Sequence, residues 1–131
     1  MISVDTNLLV RLATRDDAPA FEAVAGLMQE QDLFIPKTVL LECEWVLRSR
    51  FGYSPAEFLE FAKYLASLPR ITLEDEGAVL NALEIAGQRI DFADALHLAS
   101  GGDLKFVTMD VVLARRAARI GANVQLLLRR R

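Results

Sequence analysis

The sequence predicts an α/β fold: a mainly parallel, five-stranded sheet with helices on both faces, three layers built as one domain over residues 1–131. Three observations lead there. Short apolar runs alternate with longer segments of helical spacing, the pattern of strands joined by helical crossovers. The strand candidates are apolar almost throughout, as strands covered on both faces should be. Pro19, Pro36, Pro55 and Pro69 all fall at segment edges, where a fixed φ and a missing donor do least harm.

The first strand is 1–4 (MISV), and Leu8, Leu9 and Leu12 set the spacing of a helix over 7–13. Asp5 stands at the hinge between them, where a carboxylate suits an N-cap. A helix over 19–30 leads to a strand at 33–35 (LFI), and a helix over 38–50 follows in "KTVLLECEWVLRSRF". Wound at about 100° per residue, this helix sets Glu42 between Trp45 and Val46 on the apolar arc. A carboxylate there needs a basic partner or a metal ion. Glu44 projects elsewhere, to the surface, and meets Arg48 at i,i+4.

"YSPAEF" starts a helix over 56–67, with Ser54 as cap, Pro55 at the first position and Glu57 closing a capping box. A strand at 71–73 (ITL) and a helix over 76–88 come next. "RIDFADALHLAS" carries a helix over 92–100 with Asp91 as N-cap and Asp94 at the third position, favoured by the helix dipole. Ala93 and Ala95 flank Asp94 with minimal bulk and allow close approach of another segment or an ion. His97 lies one turn further on. With no second His or Cys nearby it reads as a satisfied histidine rather than a zinc ligand. A strand at 104–108 ends in Thr108, whose hydroxyl can support a carboxylate. Asp110 then opens a helix over 111–120, Gly121 ends it, and 123–128 forms the last strand.

The totals restrict function. Apolar residues make up 53% of the chain and aromatics 8%, an aliphatic interior with some apolar surplus for a partner surface. No apolar run approaches the roughly 18 residues that span a bilayer. No basic stretch precedes an apolar one at the N-terminus, so a cytoplasmic protein without a signal peptide is expected. Cys43 is the one cysteine, which excludes a disulfide framework and a Cys-based zinc site. Charge is unevenly spread. Nine basic and all 18 acidic residues lie at or before Asp110, a balance of −9, whereas residues 111–131 carry six arginines and no acid. Such asymmetry marks either a nucleic-acid contact or a solvated helix face with a basic tail.

Asp5, Glu42, Asp94 and Asp110 therefore stand at element boundaries or on an apolar arc without an adjacent base. In parallel sheets, ligands gather beyond the carboxyl ends of strands, where Asp5 and Asp110 belong. Clustered carboxylates repel unless a cation joins them, and an all-oxygen shell suits Mg²⁺ or Mn²⁺. Such a site orients water for in-line attack on phosphorus. Arg115 and Arg119 share a helical face beside Asp110 and can hold a phosphate, while Arg116 points about 100° away. Two alternatives compete. An aspartyl phosphotransferase would want a second Asp two residues after the first, where Asn7 stands. A non-catalytic RNA- or protein-binding module can occupy the same fold. Glycine-loop nucleotide motifs are absent from the sequence.

"SVDTNLLVRL", "LLECEWVL", "DFADALHLA" and "FVTMD", in this order and spacing, make the chain resemble a PIN domain, more narrowly the toxin ribonucleases of VapBC toxin–antitoxin modules. The resemblance covers essentially the whole chain. It implies a Rossmann-like sheet and Mg²⁺- or Mn²⁺-dependent cleavage of RNA. It assigns catalytic and metal-binding roles to Asp5, Glu42, Asp94 and Asp110, with Thr6, Asn7 and Thr108 in support. It also implies a homodimer and a VapB-like antitoxin lying over helices near the site. "FEAVAGLMQ" and "PAEFLEFAKYLASL" are the amphipathic stretches suited to such contacts, although core burial alone explains most of their apolar residues.

Overall fold

The structure is a computed structural model, and it describes residues 1–129. The chain is an α/β protein whose strands pair in parallel and whose connections are helical. It gathers into two compact units, Met1–Glu76 and the residues from Gly77 onward.

In the first unit β1 (Ile2–Ser3), β2 (Leu33–Ile35) and β3 (Ile71–Leu73) form a parallel sheet in that order. Ile2 pairs with Leu33, and Leu33 with Ile71. Parallel neighbours require long crossovers. Helices α1 (Thr6–Thr14) and α2 (Ala18–Glu30) make the first, and α3 (Lys37–Phe51) and α4 (Pro55–Ser67) the second. Leu33, Ile35, Leu40, Leu47 and Leu65 are almost wholly buried, the aliphatic interior that the composition predicts. Cys43 is buried among them. Burial first, and the Glu44 charge second, push its thiol up to about 12, so it is chemically inert.

Local rules explain the helix ends. Asp17 accepts from the Ala20 amide, and the Ser54–Glu57 capping box forms in full. Gly52, at φ 69°, closes α3 in a left-handed turn that an L side chain would strain. The start of α3 needs help from outside, because its N-cap is Pro36, which has no side-chain acceptor. Glu74 Oε1 accepts from the Lys37 amide at 2.8 Å, and the Lys37 ammonium meets Asp75 at 3.2 Å. Glu74→Ala should therefore cost about 0.5–2 kcal/mol, the usual value of a cap. Glu74→Gln, which keeps an acceptor oxygen, should cost less. Urea unfolding of the two variants checks this ordering.

The second unit holds α5 (Glu76–Ala86), α6 (Phe92–Ser100), β4 (Phe106–Thr108), α7 (Val111–Arg119) and β5 (Val124–Leu126). β4 and β5 pair in parallel, Phe106 with Val124 and Thr108 with Leu126, with α7 as their crossover. All five expected strands thus form, hydrogen-bonded as groups of three and two. Strand β4 is shorter than its apolar run, since Leu104 turns back to bond the Gly101 carbonyl. Val107 on β4 is 50% exposed, and Gln125 opposite it is exposed too, so these strands are not covered on both faces. Helix α5 ends at Ala86, two residues before the expected stop, where Gly87 to Arg89 turn the chain with Arg89 at φ 67°. Among the described residues, no helix is long and apolar enough to cross a membrane.

Candidate functional site

Two of the four sequence-selected acids lie in the first unit. Asp5 is the N-cap of α1, and its Oδ1 accepts from the Thr6 amide at 2.7 Å. The capping account of Asp5 is therefore correct as far as it goes. It uses one carboxylate oxygen of an exposed side chain. Thr6 beside it is only 4% exposed, and its Oγ1 is buried without a hydrogen-bond partner among the described residues. A buried hydroxyl left unpaired is costly, and this one adjoins the Asp5 carboxylate in sequence. Asn7 is exposed.

Glu42 differs from its sequence reading. The buried arc of α3 is Leu40, Cys43 and Leu47, so Glu42 is exposed and carries no burial cost. Trp45 shares that exposed side and is 51% exposed. Glu44, read as a surface residue, has the more covered side chain at 14% exposure, beside the buried arc. Its expected pairing with Arg48 is present at 2.8 Å. Leucines spaced around most of the helix leave its apolar arc ambiguous to periodicity alone.

The other two acids lie in the second unit with two ionisable neighbours. Asp91 is the N-cap of α6, yet its side chain makes no capping bond. Asp94, in the first turn, has its carboxyl pushed above the usual range. Partial burial is the main cause, followed by the Asp91 charge. His97 opposes the shift and Asp110 adds to it. A carboxylate in a first helical turn normally gains about 0.3–1 kcal/mol from the dipole. Burial and like charges outweigh that gain here. No ion pair involves Asp91, Asp94 or Asp110 among the described residues.

Asp110 caps α7, its Oδ1 accepting from the Leu113 amide at 3.0 Å. Thr108 supports it in a different way from that expected. The Thr108 hydroxyl accepts from the Asp110 backbone amide at 3.0 Å and so fixes the main chain that carries the carboxylate. Arg115 and Arg119 are exposed on α7, and neither is in an ion pair among the described residues. Arg115 borders a shallow hollow of about 360 Å³ lined by Val111, Ala114, Ala118, Val124 and Leu126. Arg116 instead donates to the Arg89 carbonyl at 2.8 Å, tying α7 to the turn before α6. Of the basic tail, Arg130 and Arg131 lie outside the described residues.

Among the described residues, no three His, Cys, Asp or Glu side chains are gathered in a set able to hold a metal ion. The donor chemistry nonetheless suits a hard divalent cation, since Asp94, whose carboxyl the Asp91 and Asp110 charges help to raise, is in no ion pair among the described residues. Trp45 is the residue whose position sequence reasoning missed. The spacing places it on the apolar arc, and leucines on several sides of this helix leave no local signal that it is exposed.

The model of a protein family described as the PIN domain matches residues 2–119. No curated protein matches the chain.

Proposed function

Because this chain belongs to the PIN domain family, whose members are generally nucleases, we propose that it is a Mg²⁺- or Mn²⁺-dependent endoribonuclease, the toxin of a type II toxin–antitoxin module. The observation that carries the reading is Asp94, a partly buried acid that is in no ion pair among the described residues and lies in the field of Asp91 and Asp110, which His97 only partly offsets. Like charges acting on one carboxyl are a liability in a purely structural role, and they become useful when a cation is bound. Asp5, Glu42, Asp94 and Asp110 would hold that ion. A bound ion would supply Lewis-acid polarisation of a scissile phosphate and a lowered pKa for a water.

The chain's own residues do the rest. Thr6 fixes one oxygen of Asp5 through its amide. Thr108 and the Leu113 amide fix the backbone and one oxygen of Asp110. Each carboxylate thus keeps its second oxygen for a ligand. Asn7, exposed next to this cap, is available to orient a phosphate or a water.

The partners proposed are RNA, a VapB-like antitoxin and a second copy of the chain, in the cytoplasm. Helix α2 supports a docking role, because it fully buries only Val24 and leaves Phe21, Leu27 and Met28 partly exposed. On α4, Tyr64 is exposed.

Arg115 and Arg119 are proposed to bind the RNA backbone. A body with excess acid repels RNA unless metal and arginines counter it. Replacing both arginines with Ala should weaken RNA binding and flatten its salt dependence by roughly one unit per lost phosphate contact. Titrations at several salt concentrations measure that slope. Equal slopes for parent and double variant would remove these residues from the interface. RNA binding without any cleavage in Mn²⁺ would favour a non-catalytic binding module instead.

A further inference from the structure

We infer that Trp45 is a stacking platform for an unpaired nucleobase of the RNA, one helical turn from Glu42 on the same exposed side of α3. The inference rests on the nuclease reading and adds a substrate-binding position to it. Leu40, Cys43 and Leu47 form the buried arc of α3. Thr38, Glu42, Trp45 and Ser49 recur at helical spacing on the opposite, exposed side. Trp45 is the chain's one tryptophan, and it is 51% exposed. An indole is the largest apolar side chain, and leaving half of it in water forgoes burial that a core position would supply.

Its neighbours favour a nucleotide as the occupant. The Arg50 guanidinium lies 6.0 Å from the ring centroid, a cation beside an aromatic face. A base stacked on that ring would bring its phosphate within reach of the cation. Glu42 by itself repels a polyanion, so binding here requires an attraction that is not purely electrostatic. The indole face supplies it, and a π-surface accepts any base. The Ser49 hydroxyl is taken by the Trp45 carbonyl at 2.6 Å and does not compete for the ring. A base must leave its duplex to stack this way, so single-stranded RNA is preferred.

A lone tryptophan makes the test direct. Intrinsic fluorescence of the protein is followed during titration with a single-stranded RNA dodecamer and with its duplex, at low salt in EDTA so that nothing is cut. Anisotropy of labelled RNA reports binding in parallel. Single strands should quench emission in step with binding, and the duplex should quench it far less. Trp45→Ala should weaken single-strand binding about tenfold, the size of one lost base–aromatic stack, while Trp45→Phe should restore most of it. Unchanged emission at saturating RNA, no RNA binding at all, or a Trp45→Ala variant that binds like the parent would each overturn the inference. These outcomes leave the nuclease reading standing, because cleavage by the parent in Mn²⁺ is assayed separately.

Discussion

Asp5→Asn protein should lose RNA cleavage by about a hundredfold or more, at least the cost of disturbing groups around a metal site, while keeping its fold. The two halves of this expectation come from the two oxygens of one side chain. Oδ1 accepts from the Thr6 amide at 2.7 Å, and the amide oxygen of Asn can take over that bond. Asn is as good an N-cap as Asp, so the helix start should survive. The negative charge disappears, and with it the strongest attraction for a divalent cation. Cleavage of end-labelled RNA in Mn²⁺, beside thermal melts of both proteins, separates the effects. Full activity in the Asn variant would return Asp5 to a capping role alone. A matching loss of melting temperature would mean that the cap, rather than the charge, was removed.

Metal should stabilise the parent protein strongly and an Asp94→Asn variant less. At an ion concentration a hundred times its Kd, binding to the folded state alone adds about 2.7 kcal/mol, on the order of 10 °C in melting temperature for a chain of this size. Without metal the order should invert. The Asp94 carboxyl is held above its ordinary value by burial and by Asp91 and Asp110, so its charged form is disfavoured in the folded state. Folding therefore gains from this group below the unfolded value, near 3.8, and loses that gain as pH rises through the folded one. In EDTA at pH 7, Asp94→Asn should melt above the parent, and its lead should shrink toward pH 4. Melts at the two pH values, with and without Mg²⁺, test the pattern. A variant that melts well below the parent in EDTA at pH 7 would make Asp94 a structural helix-start residue.

Much of this was legible before any coordinate. Strands at 33–35 and 71–73 and the helix over 92–100 have the boundaries read from the sequence, because Pro, Gly and capping residues act locally. The Ser54–Glu57 box and the Glu44–Arg48 pair formed as spacing required. The places of Asp5, Asp94 and Asp110 at or near helix starts are legible in the sequence, whereas Glu42 stands out there only by an apolar arc. The exposure of Glu42 was not legible, since "LLECEWVL" offers apolar neighbours on several sides of the helix.

The sequence by itself determined the order of strands and helices, the caps, and the separation of an acidic body from an arginine-bearing end. These depend on backbone torsions, side-chain entropy and charge within a few residues. Tertiary structure alone decided which arc of α3 is buried, that Glu74 caps α3 from 37 residues away, that Thr108 holds the Asp110 backbone, and that Asp91, Asp94 and Asp110 share one field. Burial and electrostatic coupling depend on distances through space, which chain folding sets and local spacing does not record.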